Sequence, residues 1–178
     1  MNICVYCGSS AGNDPSIIEQ AEEFGRQIGF HGHRLIYGGA SIGIMGRLAD
    51  AVMSAGGDVI GVIPRDLFRR EVPHQRITEL IAVDDMHQRK SEMASRADAF
   101  VALPGGFGTL EELLEIITWN QIGILKKPVV VLNLNGFFDP LLAMIDNAMA
   151  TGFIKPKNGD ILNVAHSVDE CLKQCEGR

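Results

Sequence analysis

Leu103-Pro104-Gly105-Gly106-Phe107-Gly108-Thr109-Leu110-Glu111-Glu112 follows the apolar run Asp98-Ala99-Phe100-Val101-Ala102 and opens into a helix-like pattern. The succession reads as a buried parallel strand, a glycine loop and a helix. Three glycines let backbone N–H groups approach a ligand with no side chain in the way, and the unpaired N–H groups of a first helical turn attract an anion. Phosphate is the natural guest. Glu111 and Glu112 would repel a phosphate placed directly over them, so the anion is expected on the backbone of Gly106 to Thr109, with a carboxylate facing a less anionic neighbour such as a ribose. Equally, the two acids can serve only to complement the helix dipole, an effect of ~0.3–1 kcal/mol. Spacing leaves both readings open.

The same strand, loop and helix grammar extends in both directions. Residues 2–7 form an apolar run that ends in Gly8-Ser9-Ser10-Ala11-Gly12, and Asp14-Pro15 is the N-cap and first residue of a helix predicted to reach Gly29. His33 to Tyr37 is a second strand, followed by the glycine-rich Gly38-Gly39-Ala40-Ser41-Ile42-Gly43-Ile44-Met45-Gly46 and another helix. These glycines do not match a dinucleotide fingerprint. Asp58 to Ile63 and Glu79 to Val83 are strands three and four, with irregular chain through Arg69-Arg70-Glu71-Val72-Pro73 between them. Asp84-Asp85 caps a helix that carries Arg89 and Lys90 near its start, where cations oppose the dipole. Pro128 to Leu132, Phe138 to Ala150, Ile161 to Val164 and Val168 to Cys175 complete the alternation as strand, helix, strand, helix.

Strands alternating with helices imply an α/β fold, a doubly wound parallel sheet covered on both faces, with ligands at the carboxyl ends of the strands. Three glycine loops end three strands and can line one edge. In the helix after Thr109, Leu110, Leu113, Leu114 and Ile117 share a face predicted to be the core stripe. Glu111, Glu115 and Thr118 lie toward another side, and Glu112 is farthest from the stripe. Phasing does not say which acid meets a ligand.

With 178 residues, 46% of them hydrophobic, and no linker, the chain reads as one globular domain spanning 1–178. Its net charge of −6, without a long Lys or Arg run, argues against extended nucleic-acid binding and leaves a single nucleotide open. The N-terminus has no basic n-region or cleavable apolar segment, and no apolar run reaches membrane-spanning length, so a cytoplasmic location is expected. Cys4 and Cys7 lie along a strand and Cys171 and Cys175 four apart on a helix. They are expected to be small buried thiols, and no cluster with metal-ligand spacing is visible.

Several landmarks converge on one family. Val5-Tyr6-Cys7-Gly8-Ser9-Ser10, Tyr37-Gly38-Gly39, Gly43-Ile44-Met45-Gly46, Met86-His87-Gln88-Arg89-Lys90, Pro104 to Glu112, Thr118-Trp119-Asn120-Gln121 and Gly152-Phe153-Ile154 together resemble the Lonely Guy (LOG) family. These are Rossmann-like cytokinin riboside 5′-monophosphate phosphoribohydrolases, also labelled as lysine decarboxylases in older usage. Ala40 stands where a third glycine is common in the family, and Gln75-Arg76 where x-Gly is usual. The resemblance implies Arg89 and Glu112 as catalytic residues. It further implies substrate contacts from Glu71, Arg89, Lys90, Gly105, Gly106, Phe107, Gly108, Thr109, Leu110, Glu111, Glu112 and Thr118, and a homodimer with the site near its interface.

The expected reaction is hydrolysis of the N-glycosidic bond of an adenine-type nucleoside 5′-monophosphate, AMP or an N6-substituted AMP. Oxocarbenium-like charge develops on the ribose during cleavage, and a carboxylate can stabilise it while activating water. Arg89 can serve the phosphate or the departing base, and hydrolysis requires no cofactor. The alternatives are a nucleotide carrier or sensor without chemistry, which the glycine loops alone would serve, and a pyridoxal-phosphate decarboxylase, which would need a Schiff-base lysine.

Overall fold

The computed structural model describes residues 1–68 and 72–177. Arg69, Arg70 and Glu71, hence the expected ligand contact of Glu71, lie outside the described residues. In chain order the elements are β1 (Asn2–Tyr6), α1 (Pro15–Phe30), β2 (Arg34–Tyr37), α2 (Gly43–Ser54), β3 (Val59–Pro64), β4 (Glu79–Val83), α3 (Met86–Arg96), β5 (Ala99–Ala102), α4 (Phe107–Gln121), β6 (Val129–Leu132), α5 (Asp139–Ala150), β7 (Leu162–Ala165) and α6 (Val168–Cys175). The strands pair in parallel in the order β4-β3-β2-β1-β5-β6-β7. The expected α/β parallel sheet is therefore what the chain forms.

Alternation along each strand sorts side chains into two cores. Ile3, Val5, Leu35, Tyr37 and Val101 face α1, α2 and α6, and Cys4, Tyr6, Ile36 and Phe100 face α3 and α4. Both faces being covered, the central strands read as continuous apolar runs. α1 runs past Gly29 to Phe30. The expected stop fails because Gly29 is a packing site. A Cβ there would lie 2.7 Å from the Val52 carbonyl oxygen and 2.8 Å from Cβ of Ala55, so glycine lets α2 come close.

The chain lays β1 to β4 outward on one side, then returns to place β5 against the other edge of β1. Ile3, Cys4, Val5 and Tyr6 pair with Ala99, Phe100, Val101 and Ala102. The pairing continues beyond the strands, where Leu103 N donates to Tyr6 O at 2.9 Å and Gly8 N to Pro104 O at 3.1 Å. Loops leaving β1 and β5 thus diverge from one crevice, the topological switch point at which such sheets bind ligands.

The start of α1 is fixed by Asp14, whose Oδ1 accepts from Ser16 N at 3.0 Å and Ser16 Oγ at 2.8 Å. Its Oδ2 accepts from Nδ2 of Asn135 at 2.8 Å, tying the β6–α5 connection to this cap. The Ser16 hydroxyl, the Asn135 amide and the Ser16 N–H hold the Asp14 carboxyl below its ordinary value of 3.8. A depressed folded-state value means that this cap stabilises the fold above pH 3.8 and loses its effect as pH falls through the folded value. Asp14→Ala should therefore lower the urea midpoint at pH 7, and the gap to wild type should close well below pH 3.8. A gap independent of pH would contradict this account.

Candidate active site

At the carboxyl ends of β1 and β5 lie two adjoining cavities that share Gly8, Ser9 and Gly106. The larger, about 510 Å³, is walled by the β1–α1 loop, Ile17, Ile44, Pro104 and Phe137. The smaller, about 280 Å³, collects the chemistry: Cys7, Ser9, Met45, Leu67, Met86, Arg89, the Gly106 to Thr109 turn, Glu111 and Glu112.

α4 begins at this second cavity. Gly106 is its N-cap in extended conformation and supplies no side chain to cap it, and Leu110 N closes the first turn on Gly106 O at 3.1 Å. The N–H groups of Phe107, Gly108 and Thr109 precede that first helical bond, on residues that line the cavity. The glycines of this turn differ in purpose. A Cβ on Gly105 would overlap the Thr109 hydroxyl and lie 2.9 Å from Gly8 N, so packing alone demands glycine there. Gly106 and Gly108 have no left-handed φ, and a Cβ on either meets nothing within 4 Å. The folded chain has no need of glycine at these two positions, and their bare backbone lines the smaller cavity.

Two opposite charges are buried beside this turn, Arg89 from α3 at 4% exposure and Glu112 from α4 at 8%. Asp85 caps α3 by accepting from Gln88 N at 2.8 Å, which sets the helix so that Arg89 projects back beneath the end of β2. Its Nη2 donates to Gly38 O at 3.3 Å. Both charges are felt by the strand below. Burial raises the Cys7 thiol far above its ordinary value, with the Glu112 carboxylate adding to the rise and Arg89 opposing it. Burial likewise raises the Tyr6 phenol, again with a contribution from Glu112. Both side chains stay protonated and neutral, and the acidic and basic side chains lining the cavity are Arg89, Glu111 and Glu112.

Residues 45–175 match the family described as "Possible lysine decarboxylase". LOG1 of Arabidopsis thaliana, a cytokinin riboside 5′-monophosphate phosphoribohydrolase, is 52% identical over 98% of this chain and 82% of its own length. LOG of Oryza sativa subsp. japonica, of the same description, is 51% identical over 98% and 72%. The chain belongs to the LOG family. Solved structures at lower identity share the LOG fold: TM1055 superposes with a TM-score of 0.77 at 21% identity over 99% of both chains. The Moco carrier protein from Chlamydomonas reinhardtii gives 0.73 at 24%, over 99% of this chain and 95% of its own.

Of the residues expected to serve the LOG site, Arg89, Gly106, Phe107, Gly108, Thr109, Glu111 and Glu112 line the smaller cavity, and Gly105 lines the larger. Phe107 stands at the rim with 93% of its surface exposed. Three others lie away from it in this chain. Lys90 donates to Glu111 at 2.7 Å and to Glu115 at 3.0 Å, clamping α3 to α4, and the Glu111 contact leads in raising its ammonium above the ordinary value. Thr118 is exposed and donates to Leu114 O at 2.7 Å, and Leu110 packs partly buried against the α3 and α4 core.

Phasing of α4 holds for Leu113, which is buried, and for Leu110 and Ile117, which pack partly buried against the core, and fails for Leu114 and Glu112. The buried side of α4 is Thr109, Glu112, Leu113 and Ile116, while Leu114 is 44% exposed. The reason is that α4 carries apolar residues on two faces, only one of which meets the sheet. The loop after β2 is also not a ligand edge along its length. His74 N donates to Gly39 O at 2.9 Å and Ser41 N to Val72 O at 2.9 Å, so much of it is sewn to the chain before β4, and it reaches the cavities through Ile44 and Met45. Ser9 and Met45 belong to glycine loops expected along this edge, whereas Cys7, Leu67 and Met86 were not anticipated as lining. The Gly8-Ser9-Ser10 run at the end of the strand beside the switch point was the available signal.

These distinctions predict opposite outcomes within one motif. Gly105→Ala should cost roughly 1–3 kcal/mol of stability through overpacking. Gly108→Ala, inside a helix and facing open space, should leave stability unchanged or raise it by about 0.5–1 kcal/mol while weakening AMP binding roughly 10–100-fold, because the methyl group would hold the phosphate away from a backbone N–H and lengthen a charge-assisted hydrogen bond. Denaturant titration and calorimetric AMP binding check both, and unaltered AMP affinity in Gly108→Ala would remove the phosphate from this turn.

Proposed function

We propose that this chain hydrolyses the N-glycosidic bond of an adenine-type purine nucleoside 5′-monophosphate, releasing the free base and ribose 5-phosphate. The observation that carries the reading is the coexistence, in one small cavity, of an uncapped helix N-terminus, a buried carboxylate and a buried guanidinium. The names of the relatives, cytokinin riboside 5′-monophosphate phosphoribohydrolases, point to the same chemistry and to N6-substituted AMP as a candidate substrate.

In this reading the phosphate takes the N–H groups of Phe107, Gly108 and Thr109, where the helix dipole favours an anion. Glu112 faces the ribose. As the glycosidic bond breaks, its electron pair leaves with the base and positive charge grows on the sugar, and a carboxylate held there is worth most at that moment. Water bonds to the anomeric carbon, Glu112 takes the proton water loses and returns it to solvent, and the base, leaving with the electron pair, takes one proton from solvent, so that one water is consumed. Arg89 serves the phosphate or the departing base as a charged donor.

A homodimer is the proposed assembly. Every residue of α5 is half-buried or exposed, and α4, α5 and the chain after each expose Leu114, Ile122, Ile124, Met144 and Phe153. That much apolar surface supports a second copy as its cover. A cytoplasmic location is supported by the proposed substrate, since moving the charged phosphate of a nucleoside monophosphate through an apolar bilayer is costly and holds it on the side where it is made.

Glu112→Gln should slow adenine release from AMP by roughly 10²–10⁴, the usual contribution of a positioned acid-base group, with AMP affinity nearly unchanged. Glu23→Gln, an acid whose bonds to Arg26 and Gln27 lie within α1 and which lines neither cavity, is the control and should turn over at the wild-type rate. Near-wild-type turnover in Glu112→Gln would withdraw its role, and AMP recovered intact from the wild-type protein would make the chain a binder. Adenosine should be a poor substrate because it lacks the anion. Light scattering at micromolar concentration should give twice the chain mass, and a monomer would refute the dimer.

A further inference from the structure

Gly38, the first residue after β2, is in contact with the guanidinium of Arg89. Its carbonyl accepts from Nη2 at 3.3 Å. A Cβ on Gly38 would overlap that same nitrogen, and would lie 3.2 Å from Cζ of Arg89 and 3.0 Å from Sδ of Met45. Gly38 is absent from the residues with left-handed φ, so backbone conformation does not call for glycine here. Its neighbours do. They are the far ends of two flexible side chains, both of which line the smaller cavity. Gly43 and Gly46, at the start of α2, are different, since a Cβ on either would strike the backbone of Ser9 or Ser41, and their glycines are requirements of the fold.

We propose that Gly38 is a positioning residue, a side-chain-free seat that holds the Arg89 guanidinium in its catalytic place. The inference rests on the reading of Arg89 as a catalytic group. A guanidinium is a rigid planar fork, and the absence of a Cβ at Gly38 lets it lie against the backbone with Nη2 on the Gly38 carbonyl. Adding one methyl group at position 38 leaves the backbone its conformation and pushes the fork toward the cavity. A shift of about 1 Å in a catalytic group costs on the order of 10²-fold in rate.

The test is a cycle of Gly38→Ala, Arg89→Ala and the double variant, read as kcat for adenine release from AMP alongside the thermal midpoint. Gly38→Ala should lose roughly 10²-fold in kcat with an unchanged midpoint, and the double variant should be no slower than Arg89→Ala alone, because the methyl group then has no guanidinium to displace. Adding Gly38→Ala to Arg89→Lys should also cost nothing further, since lysine lacks Nη2 and Cζ. Should Gly38→Ala fail to fold, folding regained in the double variant supports the same contact, and no folding in either overturns it. Near-wild-type kcat in Gly38→Ala beside a slow Arg89→Ala overturns this inference alone. A double variant slower than Arg89→Ala by the full Gly38→Ala factor overturns it as well. Wild-type turnover in Arg89→Ala removes the catalytic reading of Arg89 and the inference with it.

Discussion

The lateral pairing of β1 with β5 brings together strands whose paired residues are 96 positions apart, and every feature of the site is hung from it. Its last two hydrogen bonds, Leu103 N to Tyr6 O and Gly8 N to Pro104 O, lie outside the regular strands and hold the exits of the two loops side by side. From there one loop turns toward α1 and the other into α4, and the space between them cannot be filled by either. A Cβ on Gly8 would come within 3.0 Å of Ser10 O, and one on Gly105 within 2.9 Å of Gly8 N, so the loops are packed as tightly as backbone allows where they part. The crevice is thus a product of topology, and the glycines keep it open at its base.

Charge placement follows from that geometry. Burying an unpaired ion is far more costly than burying an ion with partners, and this chain puts a guanidinium and a carboxylate into one pocket floor. Cations near the start of α3 oppose its dipole. The conflict is offset by contacts outside the helix, Arg89 with the Gly38 carbonyl and Lys90 with Glu111 and Glu115 of α4. The Lys90 clamp is half-exposed on the Glu111 side, so its energetic weight is small, within the ~0–1 kcal/mol of surface pairs. Its geometric consequence is larger, because it fixes α3 against α4 and with them the helices that carry Arg89 and Glu112.

The alternation of strands and helices was legible because parallel strands buried on both faces leave apolar runs, and because Asp14-Pro15 and Asp85 mark helix starts in the sequence. The glycine turn that opens α4 was legible because Gly106 to Thr109 is local, and the N–H groups it offers the cavity lie in its own backbone. What could not be read was which side of α4 faces inward. Glu112 is buried while Leu114 is exposed, an inversion of ordinary burial that arises because one face lines a ligand pocket and the other is apolar surface. Nor could Gly38 be told from its neighbours, since its partner stands 51 residues away on another helix.

The description "Possible lysine decarboxylase" can be weighed against the same geometry. A Schiff-base lysine must present a neutral amine to its carbonyl partner, which proteins arrange by desolvating the ammonium or setting it beside another cation. Among the described residues lining the two cavities none is a lysine. Lys90, adjacent in sequence to Arg89, has the opposite environment. Two carboxylates hold it, and the Glu111 contact leads in raising its ammonium above the ordinary value, which strengthens the charged, non-nucleophilic form. Glu112, by contrast, is buried in the smaller cavity beside the Gly106 to Thr109 turn, where hydrolysis of a nucleotide needs a base and decarboxylation of an amino acid does not. The same side chains that disable amine chemistry here therefore brace the helix that places Glu112.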